Sequence, residues 1–240
     1  MNDGELKAVL KSRLDTVRER IERAAVAAGR AAGEVRLIAV TKSVSARVAK
    51  VVFDLGISDG GESRPQNLWA KAAELPDVRW HLIGHLQRNK IERTLPLCHL
   101  VHSVDSERLL KALSGYGVSA GKTVRVLLEF NCSREEAKGG FPPGALAELV
   151  DAIAVAPGVS VDGLMTMTAY GATEAIARAT FAELRELRDE LQHRTGQRHP
   201  ELSMGMSGDF EAAILEGATM VRIGSTLFEG LQEDSVPRGT

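Results

Sequence analysis

Eight short apolar runs, separated by stretches of helical spacing, constrain this chain more than any other feature. The runs are Val35 to Thr41, Ile57 to Gly60, Arg79 to Ile83, Leu100 to Val104, Val124 to Phe130, Val159 to Met165, Glu201 to Met204 and Thr219 to Ile223. Helical stretches begin near Ser45, Pro65, Gln87, Ser106, Pro143, Thr173 and Gly208. Strands alternating with helices predict a parallel sheet, because parallel neighbours need a long crossover connection. Two closures satisfy the pattern, a (β/α)8 barrel and an open doubly wound sheet. Eight strands in 240 residues, with no linker rich in Pro, Gly or Ser, favour the α/β class with a single (β/α)8 TIM-type barrel. An extra helix precedes it. Leu6, Val9, Leu10, Leu14, Val17 and Ile21 recur at helical spacing between Glu5 and Ala28, and Gly29 and Gly33 end the pattern. The expected organisation is one domain over 1–240, with the N-terminal helix (1–30) packed on the barrel and a frayed tail from Leu231 to Thr240.

Charge and composition narrow the partners. A net charge of -2 gives no electrostatic reason to bind nucleic acid or an anionic membrane. No run of about 18 apolar residues could span a bilayer. The N-terminus Met1-Asn2-Asp3-Gly4-Glu5 is acidic and polar, unlike a signal peptide. Cys98 and Cys132 are the only cysteines, and neither has metal-ligand spacing. A cytoplasmic protein is expected, with no metal. No apolar stripe exceeds what a barrel needs, so a monomer is expected.

Barrel closure would set the first strand beside the eighth, and active sites in this fold lie at the C-terminal strand ends. Lys42 ends the first run and offers an amine able to form a Schiff base with an aldehyde. The plain alternative is a solvated lysine capping a strand. Ser207-Gly208 opens the helix after the seventh run, with Ser207 placed to N-cap it, and free N–H groups at a helix start bind phosphate. An ordinary N-cap explains that serine equally well. Asp209 and Glu211 would repel an anion if they faced it. Gly224-Ser225 adds a second small-residue turn at the adjacent strand end. Arg222 lies within the eighth run and must find a partner, either a glutamate on a neighbouring helix or a ligand. His85 is placed to reach the barrel mouth, and His81 is read as a core residue. Met165, Met167, Met204 and Met206 are expected to fill the barrel interior.

Several segments together carry a family resemblance. They are Ala39-Val40-Thr41-Lys42, Trp80-His81-Leu82-Ile83-Gly84-His85-Leu86-Gln87-Arg88-Asn89-Lys90, Val101-His102-Ser103-Val104-Asp105, Gly163-Leu164-Met165-Thr166-Met167, Leu202-Ser203-Met204-Gly205-Met206-Ser207 and Glu216-Gly217-Ala218-Thr219-Met220-Val221-Arg222-Ile223-Gly224. Over nearly its whole length the chain resembles the pyridoxal phosphate homeostasis proteins, the YggS-like family. That family looks like the barrel domain of alanine racemase standing alone. The resemblance implies pyridoxal 5'-phosphate (PLP) held as a Schiff base on Lys42. It implies that Ser207, Gly224 and Ser225 hold the phosphate and that Arg222 faces the ring nitrogen. Where the family usually has Gly-Glu-Asn this chain has Gly61-Glu62-Ser63, and Ser225 stands where threonine is common. The usual Phe-Gly after the last strand is Phe228-Glu229, with Gly230 one position late.

Three readings of function remain at this stage. The expected one is a PLP-binding protein of vitamin B6 homeostasis without catalysis, whose partners are PLP and PLP-dependent apo-enzymes. The second is a PLP-dependent racemase-like or decarboxylase-like enzyme. Racemisation needs a base on each face of the substrate carbon; of the two tyrosines, Tyr116 falls near a helix end away from the mouth, and Tyr170 follows the sixth run, where it could approach the mouth but reads as part of the rim. The third is a Schiff-base aldolase acting on a sugar phosphate.

Overall fold

The computed structural model describes residues 1–136 and 138–231. Of the tail expected from Leu231 to Thr240, only Leu231 lies within them. All eight expected strands form: β1 (Arg36–Val40), β2 (Asp59–Glu62), β3 (Arg79–Leu82), β4 (Leu100–Val104), β5 (Val124–Glu129), β6 (Val159–Met165), β7 (Glu201–Ser203) and β8 (Met220–Ile223). They pair in parallel in sequence order and close into a barrel. The closing register sets Arg36 opposite Met220, Ile38 opposite Arg222 and Ala39 opposite Ile223, which excludes the open sheet.

The helices are α1 (Asp3–Ala27), α2 (Ala46–Asp54), α3 (Pro65–Glu74), α4 (Ile91–Thr94), α5 (Glu107–Ala120), α6 (Leu146–Ala154), α7 (Glu174–Thr195), α8 (Phe210–Leu215) and α9 (Ser225–Phe228). Side-chain oxygens of Ser45, Ser106 and Thr173 cap α2, α5 and α7. The crossover between β3 and β4 is broken into short turns, with Pro96 inside the last of them.

The extra helix α1 starts in a capping box between Asn2 and Glu5. Leu6, Leu10, Leu14, Val17 and Ile21 form its buried stripe, while Val9 is only half-buried. The stripe packs on α2, α8 and α9, the helices that flank the β8–β1 seam. Arg13 donates to the carbonyls of Leu227 and Glu229 at 2.9 and 2.8 Å, tying α1 to the segment after β8. The seam that carries the candidate site is thus braced from outside.

Side chains alternate between two cores. Ala39, Leu82, Leu128, Leu164, Leu202, Val221 and Ile223 face the helices in the larger one. Ile38, Leu100, Leu127, Met165 and Met220, joined by Met167, fill the barrel axis. Met165 and Met167 therefore lie where expected. Met204 instead packs in the outer core and Met206 is exposed, because the chain leaves strand geometry after Ser203 and its alternation ends there.

Candidate functional site

The seam gathers the predicted residues at one pole. Ile38 and Val40 share the inward parity of β1, and Lys42 follows two residues after the strand ends. Its side chain is exposed and has no hydrogen bond or ion pair among the described residues. Gly224 follows β8 directly. A methyl group there would lie 3.3 Å from the Val40 carbonyl oxygen, so glycine lets the two strand ends close beside Lys42.

Ser207 does not N-cap the helix after β7. That helix begins at Phe210, with Asp209 in the cap position and no side-chain cap. The Asp209 side chain bridges two loops: Oδ1 accepts from the Met206 N–H of its own loop at 2.6 Å and Oδ2 from Thr168 Oγ1, after β6, at 2.5 Å. Ser207 Oγ instead accepts from the Thr226 N–H at 3.3 Å, joining the loop after β7 to the turn after β8. The two small-residue turns are therefore one surface. The N–H groups of Ser207, Gly208 and Ser225 meet no acceptor among the described residues. Glu211, a potential source of repulsion, pairs with Arg20 of α1 at 2.6 Å.

Arg222 is 4% exposed, and among the described residues no carboxylate lies within ion-pair distance of it. The expected helix glutamate is absent because Arg222 points into the barrel. Its Nη1 donates to Ser203 Oγ at 2.6 Å and its Nη2 to the Thr166 carbonyl at 3.0 Å. Burial pushes its pKa down to about 10, and the fields of Glu129 and Asp209 oppose that shift. The guanidinium stays cationic at neutral pH with N–H donors left over.

Sequence reasoning missed three features beside these residues. Glu129 ends β5, is buried, and has no side-chain hydrogen bond among the described residues. Burial, and then the Asp105 carboxylate, push its pKa up to about 7. Beneath the Lys42 turn, Lys71 Nζ donates to the Thr41 carbonyl at 2.6 Å and to Glu62 Oε1 at 2.5 Å. Behind Arg222, Ser203 continues into a chain of buried histidines, His102 Nδ1 lying 2.8 Å from Ser203 Oγ. Parity was the available signal: Leu100 and His102, Glu201 and Ser203, and Met220 and Arg222 each share one strand face. His85 is exposed and pairs with Asp105 at 3.0 Å. The described residues contain no metal-binding cluster of His, Cys, Asp or Glu.

The family model for the alanine racemase N-terminal domain matches residues 13–232. A pyridoxal phosphate homeostasis protein of Aquifex aeolicus is 41% identical over 90% of this chain and 96% of its own length. The chain belongs to this family of alanine racemase-type barrels and, within it, to the pyridoxal phosphate homeostasis proteins. A Synechococcus elongatus relative, PipY solved with PLP bound, is 34% identical over 91% of this chain and 99% of its own, with a TM-score of 0.80. A Bifidobacterium adolescentis structure, described as an unknown protein, superposes with a TM-score of 0.89 at 37% identity, covering 95% of this chain and 97% of that one. The family implies PLP, and the donor set at the pole fits it. An unengaged primary amine matches an aldehyde, the N–H groups without acceptors match a phosphate, and a buried guanidinium with spare donors matches a ring nitrogen.

Proposed function

We propose that this chain binds PLP at the C-terminal pole of a single barrel domain and serves PLP homeostasis as a carrier, without catalysis. The observation that carries this reading is the seam: one closure sets the Lys42 turn, the Gly224-Ser225 turn and Arg222 on adjacent strands. PLP would supply a reactive aldehyde on an aromatic ring. Lys42 would hold it covalently through Nζ. Ser207, Gly224 and Ser225 would seat the phosphate through hydroxyl and backbone N–H groups. Arg222 would donate to the ring nitrogen, and a guanidinium has no proton to surrender at neutral pH. That nitrogen would remain an acceptor and the ring a weak electron sink, which suits holding more than turnover.

No tyrosine supplies a second base. Tyr170 is fully exposed and Tyr116 packs against the core from α5, so neither is set to act opposite Lys42. Met206 and Ser225 are exposed, so an open pole would leave the cofactor within reach of a PLP-dependent apo-enzyme. No described helix is long and apolar enough to cross a membrane. We infer a monomer in the cytoplasm, where the Cys98 and Cys132 thiols stay free.

The test is absorbance and intact mass after borohydride reduction. The expected results are a band at about 420 nm and one cofactor mass on the Lys42 peptide, both lost in Lys42→Ala. A protein that retains no cofactor by either measure would refute the reading and favour the aldolase. One observation favours the enzyme reading: Glu129 is a buried carboxyl poised to titrate near neutrality at the same pole. Turnover of an amino-acid panel well above free PLP, lost in Glu129→Gln, would establish it.

A further inference from the structure

A single file of hydrogen bonds crosses the barrel axis from Arg222 to the opposite pole. Arg222 Nη1 lies 2.6 Å from Ser203 Oγ, and Ser203 Oγ lies 2.8 Å from His102 Nδ1. His102 Nε2 lies 2.9 Å from His81 Nδ1, and His81 Nε2 lies 2.9 Å from Asp59 Oδ1. Arg79 closes the far end, with Nε 3.0 Å from Oδ1 and Nη2 2.6 Å from Oδ2 of Asp59. Ser203, His102, His81 and Asp59 are all buried, whereas the Arg79 side chain is 51% exposed. Of the residues the resemblance assigns to the cofactor, Arg222 alone belongs to this file.

Its polarity follows from donor arithmetic. Asp59, held ionised by its hydrogen bonds from His81 and Arg79 despite burial, can only accept. His81 Nε2 must therefore carry the proton. Burial lowers the His81 pKa against the pull of Asp59, so its ring is neutral and Nδ1 is an acceptor. His102 Nε2 must then donate. Burial also holds His102 well below its ordinary pKa, so its Nδ1 accepts, and the Ser203 hydroxyl must point at it. Ser203 Oγ is left with one role toward Arg222, which is to accept. With Asp59 ionised and both rings neutral, each tautomer forces the next along the file, and one assignment satisfies it.

We propose that Ser203, His102, His81 and Asp59 form a one-way positioning relay that locks the Arg222 guanidinium in plane and aims its remaining N–H donors at the cofactor ring. This rests on the PLP reading above. The relay contributes an orientation, not a proton. A serine with its own proton committed to His102 can only accept from Nη1, and the Thr166 carbonyl fixes Nη2. Both ends of the guanidinium are thereby pinned to neutral acceptors. A carboxylate partner would hold Arg222 more tightly but would neutralise the charge offered to a ring nitrogen.

The test uses the full chain with 15N-labelled histidine and arginine. In the cofactor-free protein at neutral pH, His81 and His102 should each show a protonated Nε2 and an unprotonated Nδ1. Arg222, the only buried arginine among the described residues, should show separately resolved Nη signals from slowed rotation. Ser203→Ala should merge those Nη signals, and Ser203→Thr should restore them. On loading with PLP, Ser203→Ala and Asp59→Asn should shift the absorption band of the bound cofactor, and Ser203→Ala should weaken binding about tenfold. Asp59→Asn lies four links from Arg222, so it reports the relay even if the serine variants fold poorly. A cationic His81 or His102, or a protonated Nδ1 on either, overturns the proposal. So does wild-type binding and spectrum in both Ser203→Ala and Asp59→Asn. If wild-type protein fails to load PLP, the functional reading falls, while the ring-nitrogen and Nη signals still decide the relay.

Discussion

Lys71→Met isolates the buried ion pair beneath the Lys42 turn. Lys71 is 7% exposed on α3 and Glu62 is fully buried at the end of β2. Glu62 Oε1 accepts from Lys71 Nζ at 2.5 Å and from Thr41 Oγ1 at 2.6 Å, and Oε2 has no partner. Methionine keeps most of the unbranched stem, so little packing volume is lost. What is lost is the only cation paired, among the described residues, with a carboxylate already short of one hydrogen bond, together with the donor to the Thr41 carbonyl. Removing one partner of a buried pair costs about 3–5 kcal/mol. That is a large share of the roughly 5–15 kcal/mol that holds a domain folded. For a chain of this length it should lower the midpoint of thermal unfolding by about 10 °C. Urea unfolding is the assay, with the slope checked for constancy so that the midpoint reports stability. The double variant Glu62→Gln/Lys71→Met should recover more than about 1 kcal/mol of the deficit, since no uncompensated charge remains. A loss below about 1 kcal/mol in Lys71→Met, or a double variant no better than the single, would refute the claim that charge pairing rather than stem packing holds this corner.

Glu129 should make stability depend on pH. Its folded pKa, about 7, lies above the ordinary carboxyl value of 4.5, so the folded state binds the proton more tightly. The resulting stabilisation is complete below about pH 4.5 and is lost as pH rises through 7. Glu129→Gln should flatten that slope by up to about 3 kcal/mol between pH 4.5 and 8, read by urea unfolding across pH, and an unchanged slope would exclude the assignment. Gly205→Ala should destabilise by at least about 1 kcal/mol and soften the loop after β7. Gly205 has a φ of +90°, and a Cβ there would lie 2.6 Å from that of Ala213; melting indistinguishable from wild type would show that the loop yields.

The barrel was legible because closure follows from counting. The capping residues Ser45, Ser106 and Thr173 stand at the helix starts the pattern marks. The clearest displacement is β2, read as Ile57 to Gly60 and found at Asp59–Glu62. Gly60-Gly61 looks like a turn in one dimension. In the fold, a Cβ on Gly60 would strike the Trp80 ring at 2.8 Å, and one on Gly61 would meet Ile38 at 3.0 Å. These glycines are strand residues made small by their neighbours, which local pattern does not record. The same limit hid the partners at the site. Lys42, Ser207, Arg222, Gly224 and Ser225 carry local signals: a charge in or just after a strand, or a small-residue turn. Lys71 and Glu62 sit on ordinary-looking segments and gain meaning only when α3 docks against the end of β1. Ser207 shows the reverse case. The helix starts two residues beyond the place its local pattern marks, Asp209 holds the turn through the Met206 N–H, and the Ser207 hydroxyl accepts from the Thr226 N–H.

The polarity of the axial file bears on carrier against catalyst. A proton wire must reverse its hydrogen bonds to pass a proton, and each reversal here is obstructed. Turning the Ser203 hydroxyl toward Arg222 sets two donors face to face at 2.6 Å. Turning the His81 ring sets a lone pair against an ionised Asp59 at 2.9 Å. In a barrel axis closed by Ile38, Leu127 and Met220 there is little polar surface to relieve either state. The file can therefore hold a guanidinium still without feeding protons to the ring nitrogen it would face. An amino-acid enzyme gains from a ring that becomes protonated as charge develops; a carrier gains from one that does not. Arg222 on this relay meets the second requirement, and any turnover the chain supports would have to draw its protons from groups at the open pole, such as Lys42 or Glu129, rather than through the axis.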